Sequence, residues 1–455
     1  MRIVIVGAGS AGSVLAERLS RNPDCQVTLF ESGPPADGPG LRAAHRLPIE
    51  PASPVAARFA ATLTDHPARP VSLVRGAVVG GSGAINGGYF CRGRATDFDG
   101  WKLPGWSWDD VLPDFRAIET DHDFTGPLHG ADGPIPVVRT RRFGAGTERF
   151  VEAALAHGFP WIDDLNGAPG GDGVGALPLN VVDGQRCGPG AMALAPALDR
   201  PNLDLQTGTR VVAVRFAGHR AVGVQVLGPD GAAVWDADRI VLCAGAISTA
   251  QLLMLSGCGP AGVLSRVGVP VRVDLPVGQN FADHPEWLLP TRWPATSRRT
   301  PLEAALSLGD VEIRLYTSGF AEMVGDPPAD PPHLGVALMR PRVRGTLTLV
   351  SADPLVAPEI AHHYDSVAAD VTALRDGAEL ARDLARLGDV EANWSTTQHL
   401  CGTAPMGSVL DAQCRVLGVD GLWVADGSIM PTITSRGPHA SIAMIGHRVA
   451  PFVAR

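Results

Sequence analysis

The sequence contains almost no lysine, and its basic residues form no cluster. Lys102 is the only lysine among 455 residues, so the other 37 of the 38 basic residues are arginines. Covalent catalysis through a Schiff base needs a lysine amine, so the sequence argues against that chemistry. Charged residues make up 19% of the chain and the net charge is −9, with no basic run. These values argue against a nucleic-acid-binding protein.

Paired cysteines are also missing. The seven cysteines are scattered and form no C-x-x-C motif: Cys25, Cys91, Cys187, Cys243, Cys258, Cys401 and Cys414. This spacing argues against a disulfide framework and against a zinc site, and it makes a reducing cytoplasm the default compartment. No metal ligand set is predicted.

A membrane-spanning segment is not predicted either. Residues 240–264 carry no charge and are long enough to cross a bilayer. However, Gly245, Gly257, Gly259 and Pro260 interrupt the run, so we interpret it as a buried strand, turn and helix. The apolar run at the N-terminus covers only five residues, which is too short for a signal peptide.

What the chain has in excess is glycine and proline. Gly (54) and Pro (39) are abundant, yet 45% of the residues are hydrophobic. Such a composition excludes a disordered or collagen-like chain. The length of the chain suggests two or three domains. The prolines and glycines between residues 34 and 54 predict an irregular loop.

The hydrophobic pattern predicts a βαβ unit at the start of the chain, with a strand over 2–6, a helix over 11–20 and a strand over 26–31. Further along, the pattern predicts antiparallel strands over 203–227, strands over 239–243 and 343–350, and helices over 247–256, 367–387 and 440–454. Parallel and antiparallel segments together indicate two interleaved domains.

A G-x-G-x-x-G motif lies inside the first βαβ unit. Gly7 permits the tight turn, Gly9 allows the backbone to approach a pyrophosphate, and Gly12 allows close packing of helix and strand. Ser10 and Ala11 lie between them, at the helix N-terminus, whose free N–H groups attract phosphate. Glu31 ends the second strand, where a carboxylate accepts hydrogen bonds from a ribose diol. This unit indicates a dinucleotide without the 2′-phosphate, but it does not separate NAD from FAD.

Four further segments narrow the choice of cofactor. They are Gly80-Gly81-Ser82-Gly83-Ala84-Ile85-Asn86-Gly87-Gly88; the run from Gly245 to Gly257; Val277-Gly278-Gln279-Asn280-Phe281-Ala282-Asp283-His284-Pro285; and the C-terminal pair His399-x-x-Gly402-Thr403-x-x-Met406-Gly407 and Asp426-Gly427-Ser428-Ile429-Met430-Pro431-Thr432. The first is rich enough in glycine to lay backbone N–H groups against a flat or anionic ligand.

With these motifs the sequence resembles the glucose–methanol–choline (GMC) family of FAD-dependent oxidoreductases. The resemblance implies a mixed α/β fold in which a Rossmann-like FAD-binding domain (1–115, 186–285 and 396–455) interleaves with a smaller antiparallel-sheet substrate domain (116–185 and 286–395). It implies these FAD contacts: the 7–12 loop, Glu31, Gly80, Gly81, Ser82, Asn86, Gly87, Val212 (or Val211) at the adenine, Ala244, Gly245, Asp426 and Gly427.

The resemblance also identifies His399 as the active-site histidine. A histidine titrates near neutrality and can accept the hydroxyl proton of an alcohol, while flavin N5 accepts the hydride when the carbinol carbon lies within about 3–3.5 Å. Ile85 stands where some family members tether FAD through a histidine, so we expect noncovalent FAD.

The family's second catalytic position departs from its usual His or Asn. The chain has Gly437 there and His439 two residues later. Either the loop shifts and His439 takes the catalytic role, or the site works with His399 alone. Arg436 could bind an anionic substrate group, although we expect a solvated side chain.

The predicted activity is oxidation of an alcohol to a carbonyl, with electrons passed to an acceptor other than O2. The short chain and the altered loop resemble the mycofactocin-associated branch, which implies a respiratory carrier and peripheral contact with the inner face of the membrane. An O2-using oxidase, a non-redox lyase of the same family, an NAD-dependent dehydrogenase and a non-catalytic electron relay remain alternatives. The expected partner is a small-molecule alcohol.

Overall fold

The computed structural model describes residues 1–36, 38, 40–167, 171–326 and 329–455. Positions 37 and 39 of the predicted 34–54 loop lie outside the described residues. The helices are α1 (Ser10–Leu19), α2 (Ala95–Trp101), α3 (Trp108–Ile118), α4 (Ala145–Ala156), α5 (Ala195–Ala197), α6 (Gly245–Leu255), α7 (Ala261–Arg266), α8 (Phe320–Val324), α9 (Ala368–Ala385) and α10 (His439–Ala454). Short helical turns cover Gly81–Ala84, Gly190–Leu194 and Gly427–Ile429.

The strands of the described chain vary from two to ten residues. They are β1 (Arg2–Val6), β2 (Gln26–Phe30), β3 (Ala56–Asp65), β4 (Ala68–Gly76), β5 (Glu119–Asp121), β6 (Ile135–Val137), β7 (Gly173–Ala176), β8 (Val181–Val182), β9 (Gln185–Arg186), β10 (Leu203–Gln206), β11 (Arg210–Ala217), β12 (Arg220–Gly228), β13 (Gly231–Asp236), β14 (Arg239–Leu242), β15 (Cys258–Gly259), β16 (Val273–Asp274), β17 (Pro285–Pro290), β18 (Ala304–Leu308), β19 (Val311–Leu315), β20 (His333–Leu338), β21 (Thr346–Thr348), β22 (Glu359–Ala361), β23 (Asn393–Thr396) and β24 (Leu422–Val424).

A five-stranded parallel sheet forms the centre of the fold. Its order is β10-β2-β1-β14-β24, and every neighbouring pair is parallel. Both faces are covered, so β1 is a continuous apolar run whose residues from Ile3 to Val6 are buried. Because the carboxyl ends of parallel strands share one edge, the loops after β1, β2 and β14 meet there.

A six-stranded antiparallel sheet forms the second layer, in the order β23-β17-β20-β19-β18-β7. Its strands alternate. Val311, Ile313 and Leu315 of β19 join a core cluster with α4 and α9, while the residues between them are charged. Successive side chains on a strand point to opposite faces. One face of this sheet is therefore a packed core, and the other presents charge.

A third sheet, β21-β22-β3-β4, pairs strands from both of the predicted domains. Strands β3 and β4 lie within 1–115, whereas β21 and β22 lie within 286–395. The division into a cofactor domain and a substrate domain stays a prediction, and this sheet is where the two would be joined.

Several predicted elements have different bounds in the structure. Within 203–227, β10 joins the parallel sheet, and only β11 and β12 are antiparallel neighbours. The strand predicted over 343–350 is shorter, Thr346–Thr348. The uncharged stretch 240–264 forms the end of β14, α6, β15 and part of α7. Among the described residues, the helices are all too short or too polar to cross a bilayer.

Candidate active site

The loop after β1 is built for close approach to a ligand. Gly7 has a φ of +102°, and a Cβ there would lie 2.5 Å from the Cys243 carbonyl oxygen, so only glycine fits. The helix α1 begins at Ser10 without a side-chain cap, so the first-turn N–H groups of Ser10, Ala11 and Gly12 have no side-chain acceptor. Such a helix start attracts a phosphate group.

Glu31 supports this loop from the end of β2. Its carboxylate accepts hydrogen bonds from the backbone N–H of Ala8 (3.0 Å) and of Gly33 (2.8 Å). Burial is the largest influence on Glu31 and raises its pKa, although these hydrogen bonds oppose the rise. Glu31 therefore orders the loop, and its predicted contact with a ribose stays a prediction.

The glycine-rich loop 80–88 packs directly on the first loop. Gly80 and Gly81 have φ of +94° and +55°, and a Cβ at Gly81 would lie 2.8 Å from the Gly9 Cα. Ser82 is exposed, and its Oγ accepts a hydrogen bond from the Gly76 N–H at 3.0 Å. At Gly87, a Cβ would lie 3.5 Å from the Pro301 ring. The two loops thus form one surface at the edge of the parallel sheet.

Three other predicted contacts border the same edge. Val212 is skipped in the register between β11 and β12, so its backbone has no partner in that ladder. Gly245, which follows Ala244, has a φ of +81°, and a Cβ there would meet nothing within 4 Å. Asp426, at 2% exposure, accepts hydrogen bonds from the Gly245 N–H (2.9 Å) and the Thr249 hydroxyl (2.6 Å) and caps the turn that begins at Gly427.

These features fit a dinucleotide. The first turn of α1 offers N–H donors for a pyrophosphate. The space beside Gly9 and Gly245 is open, and side chains at these positions would fill it. A register shift leaves Val212 outside the ladder of β11 and β12, and its contact with an adenine stays a prediction. We name the surface formed by residues 7–12, 80–88, Val212, Gly245 and Asp426 the cofactor cradle.

His399 is held from behind by Asp283. One Asp283 oxygen accepts the backbone N–H groups of His284 and His399, each at 2.8 Å. The other oxygen is 2.8 Å from the Thr396 hydroxyl and 3.2 Å from His362 Nε2. Burial favours the neutral acid, but the hydrogen bond to His362 and the nearby Arg75 are among the groups that outweigh it and hold the pKa of Asp283 below its usual range. A buried carboxylate with this many donors fixes the backbone of His399.

The Nδ1 atom of His399 faces two partners, the Thr397 hydroxyl oxygen at 2.7 Å and His284 Nδ1 at 2.9 Å. The Thr397 hydroxyl donates to the His284 carbonyl at 3.2 Å, so its oxygen accepts from the His399 Nδ1–H. This arrangement leaves the lone pair on His399 Nε2. Burial and then His284 lower the pKa of His399 well below its usual range, so the imidazole is neutral at pH 7.

Gly437 and Tyr89 lie beside His399. A Cβ at Gly437 would lie 3.4 Å from His399 Cε1 and 3.0 Å from the Tyr89 ring. Gly437, which is predicted to stand where the family usually has His or Asn, therefore lies next to His399, and the Tyr89 ring lies against it. The Tyr89 hydroxyl is 3.1 Å from a Glu312 oxygen.

His439, the second predicted catalytic residue, lies in a different environment. The Asn86 oxygen accepts from the Gly88 N–H at 2.9 Å, so the Asn86 amide nitrogen faces His439 Nδ1 at 3.1 Å. On the other side, a Cβ at Gly83 would lie 2.7 Å from His439 Nε2 and 2.6 Å from Ser10 Oγ. Burial lowers the pKa of His439 to about 4. The structure thus places His439 among residues of the cofactor cradle, and its catalytic role stays a prediction.

Next to Tyr89, the antiparallel sheet presents buried ion pairs. Arg314 Nη2 is 2.9 Å from a Glu286 oxygen, and its Nη1 is 3.1 Å from a Glu312 oxygen. Arg436 Nη1 is 2.8 Å from the other Glu312 oxygen. We name Glu286, Glu312, Arg314 and Arg436 the charged wall; all four are at most 3% exposed. Burial favours the neutral Glu312, but Arg436 and Arg314 outweigh it and lower its pKa.

The charged wall corrects one prediction and adds residues that the motifs did not reveal. Arg436 is not solvated, because Glu312 and the Ser307 hydroxyl (2.7 Å) bind it inside the protein. The wall could have been suspected from β19 itself, since Val-Glu-Ile-Arg-Leu alternates apolar and charged residues. The pairing of Arg436 with Glu312 joins positions 124 residues apart, which local sequence does not reveal.

One acidic group elsewhere resembles a metal site. Ligand atoms of Glu119, Asp121 and His129 lie within 4.8 Å of one another. Arginines already bind these carboxylates, however. Arg92 pairs with Glu119, and Arg139 pairs with Asp121. We interpret the group as an ion-pair network.

Comparisons with known proteins agree with the family resemblance of the sequence motifs, and they cover the whole chain. Family models described as GMC oxidoreductase match residues 1–286 and 341–446. A GMC-type oxidoreductase of Rhodococcus erythropolis is 41% identical, with 98% of this chain and 97% of the relative covered. An oxygen-dependent choline dehydrogenase of Paraburkholderia phymatum is 33% identical, with 98% and 91% covered.

A solved structure agrees closely. The crystal structure of pyridoxine 4-oxidase from Mesorbium loti superimposes with a TM-score of 0.90 at 29% identity, covering 99% of this chain and 98% of that chain. These findings confirm the mixed α/β fold with an FAD-binding domain and the FAD cofactor predicted from the sequence.

Proposed function

The chain belongs to the GMC oxidoreductase family, and from that premise we propose that it oxidises an alcohol to a carbonyl with His399 as the base. The observation that carries the proposal is the placement of His399, whose Nδ1 lies 2.7 Å from the Thr397 hydroxyl oxygen and 2.9 Å from His284 Nδ1, so that Nε2 is the ring nitrogen left for the substrate. The choline and pyridoxine in the names of two similar proteins are alcohols.

Each part of the site has a proposed task. FAD, when bound, supplies the hydride acceptor. The first turn of α1 and the loop 80–88 hold its pyrophosphate, and Val212 and Glu31 hold its adenosine. Ile85 leaves no histidine at the tethering position, so we propose noncovalent attachment. Residues of the charged wall close the opposite side and orient the alcohol.

His399 accepts the hydroxyl proton at Nε2. The Thr397 oxygen accepts a hydrogen bond from the Nδ1–H of the resulting imidazolium, and the Asp283 carboxylate lies behind both histidines. Because Gly437 brings no second side chain, we propose that one base suffices. For His439 we propose a contact with the cofactor, since it borders Ser10 and Gly83.

The electron acceptor and the location are part of the proposal. We propose an acceptor other than O2, in the manner of a mycofactocin-linked or respiratory carrier. The altered loop from Arg436 to His439 supports this, because it resembles that branch. The protein would work free in the cytoplasm or peripherally at the inner face of the membrane.

The test is anaerobic bleaching of the FAD-loaded protein with a panel of alcohols, followed by reoxidation with air or with a quinone. We expect bleaching by at least one alcohol and faster reoxidation by the quinone. Fast reoxidation by air would instead identify an oxidase. A protein that binds FAD but is bleached by no alcohol would contradict the proposal and favour a non-redox member of the family.

A further inference from the structure

The charged wall is neutral as a whole, because its two arginines match its two glutamates. A third guanidinium, that of Arg94, adds a positive charge that these pairs do not balance. Within the described chain, its Nε is buried without a hydrogen-bond partner, and no carboxylate forms an ion pair with it. The Nε of Arg436 is likewise buried without a partner.

Arg94 is tied to the loop that carries Arg436. Its backbone N–H donates to an Asp97 oxygen at 2.8 Å, and the same oxygen accepts from the N–H and hydroxyl of Ser435 at 2.8 and 2.9 Å. Gly93, the residue before Arg94, also lies close to this loop, because a Cβ at Gly93 would be 2.8 Å from Thr434 Cγ2. Asp97 thus ties Arg94 to the segment that precedes Gly437.

A third arginine connects this region to the surface. Arg340 Nη2 is 3.3 Å from an Asp97 oxygen and 3.5 Å from the Ser435 hydroxyl, while 41% of its side chain is exposed. Burial and then the positive charges of Arg436 and Arg340 lower the pKa of Arg94. Arg340, Arg94 and Arg436 therefore form a positive path, which we name the arginine path, from solvent to the charged wall.

We propose that the alcohol carries a carboxylate, which binds Arg94 and Arg436 while the hydroxyl faces His399. This inference rests on the proposed alcohol oxidation and specifies its substrate class. A carboxylate supplies one negative charge for the one unmatched guanidinium, and the planar fork of arginine binds it through two hydrogen bonds.

The same charges disfavour a cationic alcohol such as choline. Each wall glutamate that could attract a quaternary ammonium is already held by an arginine, at 2.9 Å for Glu286 and 2.8 Å for Glu312. Adding a cation beside the unmatched, half-buried guanidinium of Arg94 is unfavourable. We therefore expect this chain to differ in substrate charge from its choline-dehydrogenase relatives.

The first experiment compares matched alcohols in anaerobic stopped-flow bleaching of the FAD-loaded protein. ω-Hydroxycarboxylates of two to six carbons and 4-(hydroxymethyl)benzoate are each paired with the diol of the same skeleton, and choline is the cationic member. We expect the best hydroxycarboxylate to bleach the flavin about 10- to 100-fold more efficiently than its diol, since a charged hydrogen-bonded contact has that weight. Faster bleaching by diols or choline would overturn the inference and leave alcohol oxidation standing.

The second experiment measures binding without turnover. Benzoate and propanoate, with benzamide and propanamide as neutral matches, are titrated while the flavin absorption spectrum is followed. We expect saturable changes from the carboxylates, about tenfold weaker binding in Arg94→Gln, and partial retention in Arg94→Lys. Arg375→Gln, an exposed arginine on α9, is the matched control and should bind like wild type.

The possible outcomes distinguish a failure of the proposed anion site from a failure of the proposed alcohol oxidation. Unchanged carboxylate affinity in a folded, FAD-loaded Arg94→Gln protein would overturn the anion assignment. If that variant does not fold, Arg340→Gln at the exposed end of the arginine path replaces it, and a loss of carboxylate affinity is again required. Carboxylate binding through Arg94 with no bleaching by any alcohol would refute the oxidation and keep the anion site.

Discussion

The parallel and antiparallel sheets approach the site in opposite ways. The parallel sheet is apolar on both faces and contributes chemistry only from loops at its carboxyl edge, such as residues 7–12. The antiparallel sheet places charged side chains from the middle of its strands, such as Glu312 and Arg314, against the site. We propose that the first binds FAD mainly through backbone groups and that the second selects the substrate through side chains.

The two designs differ in energetic cost. Backbone donors at the start of α1 are present in any helix, so the cofactor cradle needs little beyond glycine. Burying Glu286, Glu312, Arg314 and Arg436 requires desolvation that is recovered only when every charge finds a partner. The charged wall is therefore the part of the molecule where a single substitution should be least tolerated.

The largest expected effect separates chemistry from cofactor binding. His399→Gln removes the proposed base, and general-base catalysis contributes about 10²- to 10⁴-fold to rate. We expect anaerobic bleaching by the best alcohol to slow by that factor while the FAD content stays at the wild-type level. His157→Gln, an exposed histidine at the end of α4, serves as control. A wild-type bleaching rate in His399→Gln would remove this residue from the mechanism.

The next prediction concerns the stability of the charged wall. Glu312→Gln leaves Arg436 and Arg314 each short of a charged partner, and breaking a buried pair costs about 3–5 kcal/mol. Urea unfolding should show a loss of that size in the free energy of unfolding, against little change for the exposed Glu359→Gln. Equal stability of the two variants would mean that the wall is not an energetic unit.

A smaller effect is expected on the pH dependence of stability, and it arises from residues 116–185. His129 lies 3.0 Å from oxygens of both Asp121 and Asp164, and their hydrogen bonds raise its pKa to about 9. Its contribution to stability is complete below pH 6.5 and is lost as the pH rises through 9. His129→Gln should cost on the order of 2 kcal/mol at about pH 6 and clearly less at about pH 10. Thermal unfolding across this range would contradict the assignment if the difference stayed constant.

The last prediction concerns the pH at which the bleaching rate falls and not a loss of that rate. Burial and His284 lower the pKa of His399, so its basic form persists to lower pH than in a free histidine. The acid limb of the bleaching rate should therefore lie below about pH 6.5. An acid limb above about pH 7 would show that another group is the base or that His399 is charged in the resting protein.

The same contrast explains what sequence analysis can predict. Gly7, Gly9, Gly12 and Glu31 are close in sequence, and their spacing alone indicates the dinucleotide site. Helices α9 and α10 follow from periodicity, with bounds within two residues of those predicted. In each case, short-range geometry determines the structure.

The substrate side is harder to predict because its contacts are long-range. The sequence alone favours a solvated Arg436, and only the fold brings it to Glu312 across 124 positions. Gly437 is predicted to stand at the second catalytic position of the family, but nothing local indicates that the Tyr89 ring lies against it. The same holds for Arg94, whose significance depends on Asp97 and Ser435.

The most direct test of the division between cofactor and substrate sides measures two quantities in two variants. Glu31→Gln should weaken FAD binding about tenfold, yet at saturating FAD it should keep the wild-type ratio of bleaching rates between a hydroxycarboxylate and its diol. Arg94→Gln should bind FAD as wild type and lose most of that ratio. The account is contradicted if Arg94→Gln loses FAD while keeping the ratio, or if Glu31→Gln changes the ratio when saturated with FAD.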